Sequence, residues 1–75
     1  MKEVLETIIN TLVSDKDSVS INQIEGEQST IFEVKVAEAD MGKVIGKQGV
    51  IAKSIRTIMK SLAAKENKRV SVEFL

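Results

Sequence analysis

The chain has 75 residues, 43% of them apolar and 29% charged, with equal numbers of basic and acidic side chains. That is the size and composition of one small globular domain, expected over residues 1–75, which buries only about 60–65% of the surface its unfolded form exposes. Cysteine and histidine are both absent, which excludes a disulfide framework, a thiolate metal site and the commonest general base, so no catalytic residue, metal or cofactor is assigned.

No stretch approaches the roughly 18 apolar residues of a membrane span. The N-terminus carries acids and no long apolar run, so neither a signal peptide nor a membrane partner is expected, and the predicted location is the cytoplasm. The zero net charge hides a division. Residues 1–39 hold three basic and eight acidic side chains, a balance of −5, whereas residues 40–69 hold eight and two, a balance of +6. A polyanion would therefore meet a single face of this protein. The only aromatic residues are Phe32 and Phe74, so base stacking on exposed rings cannot be its main device.

In chain order, Val4, Leu5, Ile8, Ile9, Leu12 and Val13 recur at helical spacing and predict an amphipathic helix over residues 2–13. Ser14 to Ser18 is a polar turn cluster. A strand is expected from Val19 to Ile24 or Glu25, with an irregularity at Gln23, followed by a hairpin loop at Glu25-Gly26-Glu27-Gln28. Phe32, Val34 and Val36 alternate with Glu33 and Lys35 and predict a second strand, half-buried on one face. Asp40 is placed as the N-cap of a very short helix, Met41 to Ile45, which Gly46 stops. A long helix then runs from about Val50 to Glu66, with Ile51, Ile55, Ile58, Met59 and Leu62 on one apolar arc. Val70, Val72 and Phe74 form a last alternating strand. The fold class is α+β, in the order α-β-β-α-α-β, a three-stranded sheet with its helices packed on one face.

The two glycines between the helices need a reason, because glycine costs about 1 kcal/mol inside a helix. One account is conformational: Gly46 is a left-handed C′ cap and Gly49 relieves crowding before the next helix. The other is functional. Two residues without side chains let a sugar-phosphate backbone lie against amide N–H groups at a helix N-terminus, with Lys47 adding a full charge at the tip. Residue chemistry alone leaves both accounts open. A Walker A loop does not fit, because Met41 stands where its first glycine belongs and Gln48 follows Lys47. A dinucleotide fingerprint does not fit either, since the glycines follow a helical turn at the wrong spacing.

The run Val44-Ile45-Gly46-Lys47-Gln48-Gly49-Val50-Ile51-Ala52-Lys53-Ser54-Ile55-Arg56 resembles the signature of the KH family, (V/I)-I-G-x-x-G-x-x-x-K-x-I. The element order resembles the bacterial type II arrangement of that fold, and the length is similar to the small single-domain KH proteins of the KhpA type. The resemblance spans essentially the whole chain. It implies a groove holding about four unpaired nucleotides of single-stranded RNA, with the loop clamping their backbone. Carried over, Gly46 and Gly49 permit close approach, Lys47 and Gln48 face phosphates, and Ile45 and Ile55 support an apolar floor beneath the bases. Two positions depart from the pattern. Val50 stands where many KH domains carry a basic residue, and Ala52 replaces the commoner isoleucine, which leaves the floor smaller.

Beyond the loop, Lys53, Arg56 and Lys60 fall within about 60° of one another on the long helix, opposite its apolar arc. They read either as an ordinary solvated face or as one wall of the groove. Lys60 is about 16 Å from Gly49 along the axis, so Lys53, Arg56 and Lys43 are the better candidates. Lys68 and Arg69 either border the groove or cap a loop. Met41 and Met59 read as core filler, and Glu3 and Glu6 as partners of a helix dipole. The expected function is non-enzymatic RNA binding, as an RNA chaperone or post-transcriptional regulator in a bacterium. The alternative is a protein-interaction module with weak or no RNA binding. The resemblance also implies a homodimer, or a heterodimer with a Jag-type KH protein. The outer face of helix 1, the exposed sheet edge and the loop region are the candidate surfaces for it.

Overall fold

The computed structural model describes all residues from Met1 to Leu75. Helix α1 (Lys2–Leu12) leads into strands β1 (Ser20–Glu25) and β2 (Ser29–Lys35), the short helix α2 (Met41–Ile45), the long helix α3 (Val50–Ala64) and strand β3 (Arg69–Phe74). Single 3₁₀ turns sit at Lys16–Ser18, Glu38–Asp40 and Lys47–Gly49. This is the expected α-β-β-α-α-β order of an α+β, KH-like fold.

The sheet order is β1-β2-β3, with β1 antiparallel and β3 parallel to the central β2. A parallel neighbour requires a crossover, and α2, the loop and α3 supply it. Because directly paired residues share a face, the register Ile21–Val34–Phe74 and Gln23–Phe32–Val72 points one side of the sheet at the helices. The other side, including Ser71, Glu73 and Ile24, stays in solvent. The β1–β2 register runs without a break from Ser20–Lys35 to Glu25–Thr30. Gln23 therefore causes no irregularity: it pairs with Phe32 on the helix side and is exposed only because β1 is an edge.

The core forms where α1 and α3 cover that face. Leu5, Ile9, Phe32, Val44, Met59 and Ala63 are completely buried, joined by Val34, Ile55, Val70 and Val72. Met59 is core, as its position predicts; Met41 packs at the margin. Ile58 departs from the expected arc. It is 45% exposed, because the buried residues Ala52, Ile55, Met59 and Ala63 centre the packed face about 105° away around the helix. Helix α3 ends through the amide bonds of Asn67 to Ala64 and of Lys68 to Ala63, with Asn67 left-handed at φ 56°. That is a Schellman stop in which asparagine takes the place of the usual glycine.

Candidate nucleic-acid interface

The α2–α3 connection is a tight turn whose two glycines meet different demands. Gly46 has φ 76° and ψ 175°, a region open essentially to glycine alone. A Cβ there would lie 2.6 Å from Ile51 Cγ1 and 2.9 Å from Ile51 Cβ. Gly49 is left-handed at φ 77°, ψ 14°, and a Cβ there would meet nothing within 4 Å. The expected division is thus reversed: crowding governs Gly46, while Gly49 faces open space. Gln48, between them, is also left-handed at φ 58°, an unfavourable conformation for a residue with a side chain. The turn is closed by the Gly49 amide donating to the Gly46 carbonyl at 3.2 Å.

Lys47 and Gln48 are exposed at the tip, and Val50 just beyond is 58% exposed. No side chain caps the N-terminus of α3. Its first amides, with the positive end of the helix dipole behind them, are open to an anion arriving over Gly49. Ile45 is half-buried at the base of the loop and packs against the core, whereas Ile55 is only 2% exposed. Ile55 holds α3 in place from beneath and presents no surface to a ligand.

Along α3, three sectors follow one another around the axis: the buried face, a basic flank of Arg56, Lys60 and Lys53, and an uncharged flank of Thr57, Val50, Ser54 and Ile58. The basic flank adjoins the outer edge of β3. The Arg69 and Leu75 amides bond inward to Gln28 and Val34, so the alternation of a parallel ladder turns the N–H and C=O of Val70, Val72 and Phe74 outward. Arg56 Nε donates to the Val72 carbonyl at 3.1 Å, and its guanidinium lies 5.4 Å from the Phe74 ring centroid. The side chain is thereby laid along the strand edge, with its terminal nitrogens still available as donors. Lys53 is exposed and in no ion pair.

Lys43 is engaged elsewhere. Its ammonium is 3.0 Å from Asp40 Oδ1 and donates to Ser14 Oγ. Asp40 does not cap α2 with its side chain as the sequence suggests; its buried carboxylate instead accepts the Ser14 amide at 3.1 Å and the Asp15 amide at 2.9 Å. Those amide bonds, Asp15 first, and then Lys43 hold its pKa below the usual carboxyl value against an opposing burial effect. The result ties the segment after α1 to the start of the helix that carries the loop. Sequence reasoning missed this tie and the β3 edge, because both depend on residues far apart in the chain. The i, i+3 spacing of Asp40 and Lys43 was the one local sign of the first.

Residues 2–74 match the family model described as the KH domain of KhpA/KhpB. The chain belongs to this family. Among curated relatives, the RNA-binding protein KhpA of Clostridium acetobutylicum is 60% identical over the full length of both chains. The protein of the same name from Caldanaerobacter subterraneus is 56% identical, again over both full lengths. That of Borreliella burgdorferi is 49% identical over 97% of this chain and 89% of its own. In this KH domain the Gly46–Gly49 turn leads directly into α3, which carries exposed Lys53 and, one turn on, Arg56 held against the β3 edge at Val72.

Proposed function

We propose that this chain is a non-enzymatic RNA-binding protein that grips about four nucleotides of single-stranded RNA. The observation that carries the reading is the open surface at Gly49, beside an uncapped helix N-terminus and the exposed Lys47. Backbone phosphates lie on the loop amides, with Lys47 and Gln48 beside them and Lys53 and Arg56 along the groove. Lys43 acts by fixing α2 through Asp40. Ile45 supports the floor at the surface and Ile55 from the core below. The names of the relatives, RNA-binding proteins KhpA, agree with this reading. The role it serves is that of an RNA chaperone or post-transcriptional regulator in the cytoplasm, where single-stranded transcripts are found. No helix is long and apolar enough to cross a membrane.

Titration of a labelled oligonucleotide against salt tests this. Contact with three or four phosphates gives a log–log slope of roughly −2 to −3 for a single strand. Duplex RNA competes poorly, because the groove needs splayed bases. Equal affinity for duplex and single strand would mean a diffuse basic surface instead of a groove.

A second reading concerns assembly and rests on the uncharged flank of α3. Val50 and Ile58 are 58% and 45% exposed and border a shallow depression with Lys53, Ser54 and Thr57. The occupant proposed is a second copy of this chain, in which Val50 and Ile58 of one copy meet those of the other about a two-fold axis. Pairing with a Jag-type KH protein is the heteromeric version of this contact. Two grooves in one particle raise the effective concentration of the second to about millimolar. In sedimentation at micromolar concentration the native chain runs as a dimer and an Ile58→Glu variant as a monomer. A native chain that stays monomeric and binds RNA tightly alone contradicts this assembly.

A further inference from the structure

Helix α3 and strand β3 enclose a second cationic site at the end of the molecule away from the loop. Lys60, Lys68 and Arg69 line a cleft of about 310 Å³ together with Val70 and Ser71. All three cations are exposed, none is in an ion pair, and none of their side chains makes a hydrogen bond within the protein. Lys68 also borders a depression lined by Glu3, Glu25 and Glu66, but it pairs with none of them, so its ammonium is free to meet an anion in the cleft beside Lys60 and Arg69. The clustering follows from the fold. Lys60 is carried on the basic flank of α3, and the Schellman stop at Asn67 turns the chain back so that Lys68 and Arg69 enter β3 opposite it. The Val70 amide, on the outer edge of β3, adds a neutral donor of the kind that binds phosphate oxygen.

The cleft and the loop share the same flank of α3 and the same edge of β3. Lys60 lies ten residues, about 15 Å, beyond the start of α3, and Lys53 and Arg56 stand between. The β3 edge runs beside them, from Val72, whose carbonyl Arg56 holds, to Val70 in the cleft. A strand clamped at Gly49 and following this edge arrives at the three cations.

We infer that Lys60, Lys68 and Arg69 form a second phosphate site that holds the same RNA strand beyond the four nucleotides gripped at the loop. The inference rests on the RNA-binding reading above. It makes the footprint longer than one loop can clamp, and makes affinity depend on oligonucleotide length.

The test compares oligouridylates of four and of roughly ten nucleotides on three proteins: the native chain, K60Q/K68Q/R69Q, and a charge-matched control, K16Q/K35Q/K65Q. For the native chain, lengthening the oligonucleotide strengthens binding and steepens the salt slope by about 0.7 for each added phosphate contact, so by roughly 2 for three. The cluster variant keeps the native affinity for the tetramer and loses most of both increments. The control keeps both. A cluster variant with the native length dependence overturns the second site, as does a control that loses as much, since net charge is then the cause. Absence of a length effect in the native chain overturns it too. Failure of the native chain to bind either oligonucleotide is a different result: it removes the loop reading, and this site with it.

Discussion

At Gly46 an added methyl group would drive into Ile51, whereas at Gly49 it would project into empty space. The two positions stand three residues apart and share a φ of 76° and 77°, but their ψ values, 175° and 14°, put Gly46 in a glycine-only region and Gly49 in the left-handed one. Their surroundings differ as well. Gly46 is the point at which α2 gives way so that α3 can pack Ile51 against the core margin. Gly49 is the point at which the protein presents bare backbone to whatever lies outside. One glycine serves the fold, and the other leaves backbone open to its surroundings.

Substituting each by alanine breaks this contrast most directly. Gly46→Ala places a residue with a side chain in a glycine-only region and overpacks Ile51, whose Cβ cannot move without its helix. The two effects together cost about 2–5 kcal/mol. Against the roughly 5–15 kcal/mol that stabilises an ordinary domain, that is a large fraction. Gly49→Ala meets only left-handed strain, about 1 kcal/mol, and its main effect is on RNA affinity. Chemical denaturation of both variants, with RNA titration of the folded one, measures the difference. Equal loss of stability at the two positions would show that crowding is not what distinguishes them.

A smaller effect sharpens the same contrast from the other end of α2. Asp40 stabilises the folded state in its charged form, so its folded pKa lies below the unfolded value of about 3.9. The stability it contributes is present above that unfolded value and is lost as pH falls through the folded one. Asp40→Asn therefore lowers the melting temperature at neutral pH, and the gap to the native chain narrows below about pH 4. A gap independent of pH would mean that the carboxylate charge is not what joins Ser14 and Asp15 to α2.

Much of this was legible from residue spacing. The alternation in β2 and β3 and the apolar arc of α3 gave every element in order, because each buries one face and the period reveals it. Local signals failed where the answer depended on a partner distant in sequence. Ile58 has the spacing of a core residue, yet the core is centred on Ala52 and Ala63, whose small side chains carry little weight in a hydrophobic pattern. Asp40 has the position of an N-cap, but its carboxylate is taken by amides 25 and 26 residues earlier. Arg56 reads as a free basic residue, and only the fold lays it on the Val72 carbonyl. At the loop, the spacing of the glycines was evident from sequence, while the distinct reason for each required the position of Ile51.

The central claim is that the exposed tip between these glycines is where RNA is held. The measurement that reaches it most directly is RNA affinity of the double variant K47D/Q48D beside its unfolding free energy. Both side chains are exposed, so stability changes by no more than about 0.5 kcal/mol. Two acids facing phosphates turn attraction into repulsion, and binding of single-stranded RNA is lost while the fold remains. A well-folded double variant that binds single-stranded RNA as tightly as the native chain would contradict the account.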